Sequence, residues 1–187
     1  ESPPLRFEPP EPEKFELSNG VRVLYLRDSS LPIVELMAYY RGGYPYFDRD
    51  HYAAATAVGS LMLSGGTASL PPDSLEQLIE YYALGPSFGS AGGVTFSTMS
   101  TLRRHFDVAL ELWTEMMRRP RFDPERVEVW RLRELDAVRR MRDQPGTIAI
   151  REFNRLMYGD HPTGWIMEES DLDPEDLSPE RLRRVHR

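Results

Sequence analysis

Residues 50–67, which read DHYAAATAVGSLMLSGGT, decide the fold of this chain. Alanine and other apolar residues occur on most sides of this stretch, which is typical of a buried helix over residues 50–63. The run Ser64-Gly65-Gly66-Thr67 ends that helix, because glycine favours a helix C-terminus. The stretch holds one histidine, His51, and no glutamate. The sequence therefore predicts a central helix that packs on several sides and carries few polar side chains.

The chain before this helix is rich in β-forming residues. Two such runs flank Asn19-Gly20, a strong hairpin signal, because a two-residue turn requires positive φ at both of its positions. A third run, Ile33 to Tyr40, ends in Arg41-Gly42-Gly43. We therefore expect three strands, antiparallel at first, before the central helix.

After the central helix, the sequence alternates between helical and strand periodicity. Strand-like alternation covers 94–101, and the glycine-rich segment 84–93 before it is the expected hairpin partner. Helices are predicted over 74–82, 106–117, 124–142 and 147–157, and a last one starts at the N-cap residue Ser178. This order predicts an α+β fold, in which a mostly antiparallel or mixed sheet carries helices on one face.

The first thirteen residues differ from the rest, since they hold five prolines among acidic residues. We predict an extended proline-rich arm over 1–13 and a single α+β domain over 14–187. The arm fits a stalk left after removal of an export signal, and hence a periplasmic location. A trimmed end fits it equally well, so the compartment stays open. The last predicted helix is interrupted at Arg187, which is typical of a domain truncated at its C-terminal end.

The composition excludes several classes of protein. The chain has 187 residues, of which 40% are hydrophobic and 11% aromatic, so it is able to bury a core. Its net charge of −7 argues against nucleic-acid binding, which needs a basic surface. No apolar run approaches the ~20 residues of a membrane span. The absence of cysteine excludes disulfides, cysteine-ligated zinc and thiol catalysis.

Three features could carry chemistry, but each also has a structural explanation. Asp48-Arg49-Asp50-His51 could form a metal or acid–base cluster, whereas aspartate at a helix start is usually a cap and a partner of the helix dipole. Asp160-His161-Pro162 could expose its histidine, whereas the proline and the preceding glycine are helix-stop signals. The four glycines between 85 and 93 lack the Gly-Lys-Ser/Thr of a phosphate-binding loop. We favour the structural interpretation for all three.

Several landmarks follow one another along nearly the whole chain. These landmarks are Phe15-x-Leu17-Ser18-Asn19-Gly20-Val21-x-Val23, Gly42-Gly43, Met62-Leu63-x-x-Gly66-Thr67, the segment from Leu75 to Gly85, Pro120-x-Phe122, Asp143-x-Pro145 and Tyr158-Gly159-Asp160-His161-Pro162. Taken together, they resemble the insulinase/pitrilysin family of zinc peptidases, the inverted zincins that include the mitochondrial processing peptidase. The resemblance implies the fold of the N-terminal half of such a metallopeptidase subunit.

Catalytic members of that family carry His-x-x-Glu-His on the first helix. Two histidines at i and i+4 share one helix face and can bind one zinc ion, while the glutamate activates water. When the motif is aligned on the Met-Leu and Gly-Thr landmarks that follow it, these positions hold Ala57, Ser60 and Leu61 here. The resemblance therefore implies that both histidines and the catalytic glutamate are absent from this chain.

A glutamate on a later helix completes the zinc site of the family. Counted back from Asp143-x-Pro145, the corresponding position here is Ala137, and Glu134 is the nearest carboxylate. Methyl, hydroxymethyl and isobutyl side chains cannot replace imidazole or carboxylate on Zn²⁺. The resemblance thus implies no metal, no cofactor and no peptidase activity for this chain.

Three functions are compatible with this resemblance. In the first, the chain is the non-catalytic subunit of a heteromeric peptidase, where it helps to form the peptide-binding chamber beside a zinc-bearing subunit of the same family. Peptides in the family add as a strand to a sheet edge, and the comparable edge here is Ser87-Phe88-Gly89-Ser90. In the second, the chain is a stand-alone scaffold that binds peptides or proteins. In the third, it belongs to a zinc metalloendopeptidase whose active site lies outside this sequence.

Overall fold

The computed structural model describes residues 10–91 and 93–187. The chain divides into two compact units, one ending at Pro32 and the other spanning Ile33–Arg187. Residues 1–9 of the predicted arm lie outside the described residues, so the division into an arm over 1–13 and a domain over 14–187 stays a prediction. The elements described below confirm the predicted α+β class.

The first unit contains a two-stranded antiparallel hairpin. Its strands are β1 (Glu13–Glu16) and β2 (Arg22–Tyr25), which confirms the hairpin predicted at Asn19-Gly20. The expectation of positive φ at both turn residues is wrong, because only the glycine has a positive φ, of 83°. The loop is longer than two residues: the glycine N–H donates to the Leu17 carbonyl, and the asparagine side chain accepts from the Val21 N–H.

The second unit contains a three-stranded antiparallel sheet, whose strands are β3 (Ile33–Arg41), β4 (Gly85–Ala91) and β5 (Val94–Leu102). They lie in the order β3-β5-β4. The β4–β5 hairpin confirms that the glycine-rich segment is the partner of the strand after it. Strand β3 pairs with β5, which lies about sixty residues later in the chain, and not with the preceding strand. The three N-terminal strands therefore do not form one sheet.

The position of Pro86 shows which backbone groups of β4 are hydrogen-bonded to β5. Proline has no N–H, so its nitrogen must face away from β5. Because successive residues of a strand direct their N–H and C=O groups to opposite sides, Phe88 and Ser90 also face the free edge of β4. The same alternation applies across β5. The even-numbered residues of β3 therefore direct their backbone N–H and C=O groups toward β5. The Gly42 N–H confirms this phase, since it donates to the Gly93 carbonyl (3.3 Å).

Six α-helices connect and cover the strands of the second unit. They are α1 (Tyr52–Ser64), α2 (Pro72–Tyr81), α3 (Phe106–Arg118), α4 (Pro124–Met141), α5 (Pro145–Tyr158) and α6 (Pro179–His186). The Ser178 hydroxyl accepts from the Arg181 N–H, which confirms the predicted cap of α6. None of the helices in the described part of the chain is both long and apolar enough to cross a bilayer.

Two apolar clusters form the core of the second unit. One joins the sheet to α2 and α3, with Met99 from β5 packed among the side chains Leu75, Leu112, Trp113 and Met116. The other surrounds α1 and contains no residue of β5. The opposite face of the sheet leaves Met37 and Tyr39 exposed. Helices therefore cover one face of the sheet, and α1 has a core of its own.

Candidate functional site

Helix α1 places two of the positions singled out from the sequence on its buried side. Ala57 and Leu61 are about one helical turn apart, so their side chains share one face. Both are 0% exposed. Ser60 is exposed, and its carbonyl accepts a hydrogen bond from the Ser64 hydroxyl (3.0 Å). The side chains singled out from the sequence are therefore divided between the core and the surface of one helix.

Apolar side chains from other parts of the chain cover this buried face. Helix α4 contributes Val127 and Val138, and the C-terminal segment (residues 165–187) contributes Leu172, Leu177 and Leu182. All these side chains are pure hydrocarbon, so they offer no lone pair to a cation. An ion placed there would also lose its hydration without compensation. We refer to Ala57, Leu61 and these five side chains as the covered face of α1.

The position on α4 that was singled out from the sequence lies beside the covered face. Ala137 is half-buried on α4, and its neighbour Val138 provides the contact with the cluster. Burial raises the pKa of the Tyr52 hydroxyl, and the charge of Glu134 acts in the same direction, so this carboxylate lies near the start of α1. Within residues 10–91 and 93–187, no three His, Cys, Asp or Glu side chains come together as a metal site would require.

Arg49 connects the start of α1 to the C-terminal segment. Its guanidinium donates to the Asp171 carboxylate (2.7 Å) and to the Ile166 carbonyl (3.0 Å). Its central carbon lies 4.6 Å from the centre of the Tyr52 ring and 5.6 Å from the centre of the Trp165 ring, within the range of cation–π attraction. We call Arg49, Tyr52, Trp165 and Asp171 the arginine junction. Because of these contacts, the first turn of α1 and the segment that covers it are held together.

The arginine junction is largely shielded from water. The Arg49 side chain is 35% exposed and that of Asp171 only 12%. Burial raises the pKa of the Asp171 carboxyl, although the nearby Arg49 acts to lower it. The Tyr52 hydroxyl donates to the Trp165 backbone carbonyl (3.1 Å), and the two rings meet edge to face with 5.6 Å between their centres. The sequence carries only a weak signal for this site, an arginine among several aromatic residues.

The two histidine motifs of the sequence are parts of turns. Asp48 occupies the N-cap position of a short 3-10 helix, as predicted. Its carboxylate makes no capping hydrogen bond, so the predicted capping role of this side chain is wrong. The His51 ring stacks on Phe47, with 6.0 Å between the ring centres. His161 follows the end of α5, and its Nδ1 accepts from the Thr163 N–H (3.2 Å), which confirms the turn.

Strand β4 contains the predicted peptide-binding edge, Ser87 to Ser90. Phe88 and Ser90 face its free side, but helix α1 lies against Phe88: a Cβ added at Gly59 would be 2.9 Å from the Phe88 carbonyl oxygen. On the other face, the Phe96 ring lies over Gly89, where an added Cβ would be 2.6 Å from Cζ. A peptide strand that pairs with β4 would therefore have to pass Gly59.

Comparison with known proteins identifies the fold of this chain. No protein-family model matches the sequence, and no curated protein matches it. Solved structures do match. The peptidase M16 inactive domain from Pseudomonas fluorescens has a TM-score of 0.78 at 20% identity, covering 94% of this chain and 43% of that one. The periplasmic protease PqqL from Escherichia coli has a TM-score of 0.78 at 14% identity, covering 92% and 19%.

A third match is a variant of the ferredoxin protease FusC in complex with Arabidopsis ferredoxin, with a TM-score of 0.75 at 18% identity, covering 94% of this chain and 20% of that one. This chain has the insulinase/pitrilysin-type (M16) peptidase fold. The resemblance read from the sequence landmarks is thus confirmed at the level of the fold. The chain spans less than half the length of each of these three proteins.

Gly59 allows α1 to approach β4 closely in this M16-type fold, which leads to a testable expectation. We expect Gly59→Ala to lower the free energy of unfolding by about 1–2 kcal/mol, because the clash with a backbone oxygen outweighs the ~1 kcal/mol that alanine gains in a helix. The matched control is Gly146→Ala in α5, where an added Cβ meets nothing within 4 Å. That change should stabilise by about 0.5 kcal/mol. Urea unfolding measures both, and equal effects would contradict the close approach.

His186 attaches α6 to the end of α3, because its Nε2–H donates to the Met117 carbonyl (2.7 Å). Burial lowers the pKa of His186 below its ordinary 6.5. The unfolded chain then binds this proton more readily than the folded chain, so the free energy of unfolding should decrease as the pH falls below 6.5. His186→Gln keeps a donor and removes the titration. We expect a flatter stability profile between pH 6.5 and about pH 5, and an unchanged slope would contradict this.

Proposed function

We propose that this chain is a catalytically inactive homologue of the insulinase/pitrilysin-type peptidases and serves as the non-catalytic subunit of a heteromeric zinc peptidase. The observation that carries the proposal is the covered face of α1. Ala57 and Leu61, which stand where the resemblance expects the two histidine ligands, are fully buried in an apolar cluster. Such a face can neither bind Zn²⁺ nor activate water.

Retention of the fold without the ligands supports a structural role in an assembly. Helix α1 keeps its close packing against β4 and α4, so the chain can still contribute a wall to a peptide-binding chamber. One solved structure of this fold is itself described as an inactive domain. The FusC structure contains a protein, ferredoxin, so the same fold is compatible with holding a polypeptide. The zinc-bearing subunit would supply the chemistry.

Strand β4 is the part of this chain that would contact the peptide. Its outward-facing groups belong to Phe88 and Ser90, and main-chain hydrogen bonds to such an edge do not depend on the peptide's sequence. Because α1 lies against the Phe88 carbonyl, we expect the pairing to depend chiefly on Ser90. The role of this chain is thus to hold and align the peptide, while cleavage takes place on the partner.

The decisive experiment combines this chain with a candidate zinc-bearing subunit of the same fold and measures peptide hydrolysis. We expect this chain alone to bind no stoichiometric zinc and to cleave nothing in a chelator-sensitive manner, and we expect it to raise kcat/KM of the partner. Ser90→Pro removes an outward N–H and should reduce that gain without loss of association. Ser87→Ala, on the β5-facing side of the same strand, is the matched control and should leave the gain intact.

Other outcomes identify the alternatives. One tightly bound zinc ion per chain, together with cleavage by this chain alone, would overturn the proposal and favour a working peptidase. Peptide binding without any gain in the hydrolysis by a zinc-bearing subunit would favour the stand-alone scaffold, which the outward-facing backbone of Ser90 also permits.

A further inference from the structure

Two long stretches of this chain contain no charged residue, although charged residues make up 28% of the sequence. They are residues 52–72 and 81–102. The first stretch contains all of α1, and the second contains both strands of the β4–β5 hairpin. The other five α-helices all carry exposed charged residues, which is the usual composition of the solvent-facing side of a helix. The solvent-facing side of α1 therefore differs in chemistry from that of the other helices.

The exposed side of α1 is a single stripe of three residues. Thr56, Ser60 and Leu63 are its exposed members, and their i, i+4, i+7 spacing places them on one face of the helix. Thr56 and Leu63 are also surface neighbours of Gly59, where α1 approaches the Phe88 carbonyl of β4. The stripe therefore borders the edge of β4 toward which Phe88 directs its backbone groups.

We propose that this stripe and β4, which we call the uncharged surface, select polypeptide segments without charged side chains. The proposal rests on the proposed function, because it takes the bound polypeptide to be an extended segment paired with β4. It adds the chemical class of that segment. Where the segment passes α1, its side chains are those of residues such as alanine, serine, threonine and valine.

Loss of hydration is the physical reason for this selectivity. A side chain that lies between the bound segment and α1 gives up part of its water. A charged group in that place needs an opposite charge or several hydrogen bonds in return. The uncharged surface offers the Ser60 hydroxyl but no opposite charge. A serine or threonine of the segment can bond to that hydroxyl, and alanine or valine needs no partner.

Strand geometry limits the selectivity to alternate residues of the segment. The side chains of a strand alternate between its two faces, so every second side chain of the segment is directed toward α1. The side chains between them are directed away from α1 and keep their water. Main-chain hydrogen bonds to β4 are the same for both sets. Intolerance of charge should therefore follow a period of two along the bound segment.

A peptide scan tests the proposal by measuring binding to the full chain. The probe is a short, fluorescently labelled peptide of alanine, serine, threonine and valine, in which lysine, glutamate or glutamine replaces one residue at a time. We expect Kd to rise about tenfold for lysine and for glutamate at alternate positions, and less than about twofold for glutamine. The net charge of −7 acts on lysine and glutamate with opposite sign and at every position, so alternation separates lost hydration from general electrostatics.

Charge variants of Ser60 connect the effect to the uncharged surface. At the sensitive positions, Ser60→Lys should improve the binding of the glutamate peptides about tenfold and weaken that of the lysine peptides, and Ser60→Glu should do the reverse. Ser60 is exposed, so both variants should fold, which helical circular dichroism checks. Ala149→Glu is the matched control, because it places the same charge at an exposed position of α5. It should leave the binding pattern of the unmodified chain unchanged.

The outcomes are distinct from those of the proposed function, because binding is measured without a zinc-bearing subunit and without hydrolysis. Equal affinity for charged and uncharged peptides, a charge effect of the same size at every position, or no response to the Ser60 variants would overturn the proposal. So would the absence of binding by every peptide of the series, even if the chain raises kcat/KM of a partner. The expected alternation without any gain in hydrolysis would support the selectivity and contradict the proposed function.

Discussion

Replacing Leu61 with alanine is expected to lower the free energy of unfolding by about 3–4 kcal/mol. Leu61 is fully buried, and its neighbours come from α4 and from the C-terminal segment, which cannot all move inward to fill the space. The loss therefore combines the transfer free energy of the side chain with that of a cavity. Urea unfolding followed by tryptophan fluorescence measures the effect, and the m-value should stay unchanged if only stability is altered.

The matched control lies two residues later on the same helix. Leu63 is exposed, so Leu63→Ala should cost less than about 1 kcal/mol. The comparison also bears on function. If the side of α1 that carries Leu61 were an open cleft for a metal and a peptide, the two leucines would behave alike. A Leu61→Ala effect as small as that of Leu63→Ala would show that the face is not covered in solution, and the proposed function would lose its basis.

Local signals in the sequence were sufficient to predict most helices. Alanine-rich composition and the glycines after it located α1, and Ser178 located the start of α6, because these signals act within a few residues of where they occur. The hairpin at Asn19-Gly20 was located correctly, but its turn geometry was not. The Leu17 and Val21 backbone groups extend the loop beyond the dipeptide, and the dipeptide alone does not indicate that.

Long-range contacts were not predictable from the sequence alone. Strand β3 pairs with β5 across the two helices that separate them, and no local pattern in 33–41 identifies that partner. Arg49 and Asp171 are 122 residues apart in sequence, so the arginine junction could not be inferred from the motif at 48–51. The chemistry predicted for that motif depended on its two aspartates and its histidine, whereas the arginine between them makes the tertiary contacts.

The candidate site was predictable in part. The landmarks after the central helix singled out Ala57, Ser60 and Leu61. The structure shows Ala57 and Leu61 buried and Ser60 exposed. That these are former ligand positions stays a prediction. The sequence could not show which side chains cover Ala57 and Leu61, since Leu172 and Leu182 become neighbours of α1 only after the chain has folded.

Replacing Arg49 with alanine is expected to lower the free energy of unfolding by about 2–3 kcal/mol. The change leaves the Asp171 carboxylate without its cation in a poorly hydrated place, which is more costly than the loss of a surface ion pair. It also removes two cation–π contacts and the bond to the Ile166 carbonyl. Because Arg49 is partly exposed, the expected loss in the free energy of unfolding is smaller than the ~3–5 kcal/mol typical of fully buried pairs.

Arg140→Ala is the matched control for this effect. Arg140 and Asp136 are also 2.7 Å apart, but their side chains are 68% and 60% exposed, so we expect a loss of no more than about 0.5 kcal/mol. Combining Arg49→Ala with Asp171→Asn completes a double-mutant cycle, in which the pair should show a coupling of about 1–2 kcal/mol. Equal losses for Arg49→Ala and Arg140→Ala would contradict a buried junction.

The pH dependence of Arg49→Ala provides a second check. Burial already raises the pKa of Asp171 in the intact chain, and removal of Arg49 leaves that tendency unopposed. Below the pKa of the carboxyl, the buried group is neutral and no longer requires a cation, so the destabilisation should shrink as the pH falls. Hydrogen exchange should meanwhile show faster opening of α6, because the junction holds the C-terminal segment against α1. If α6 exchanges as slowly as in the unmodified chain, the covered face does not depend on Arg49.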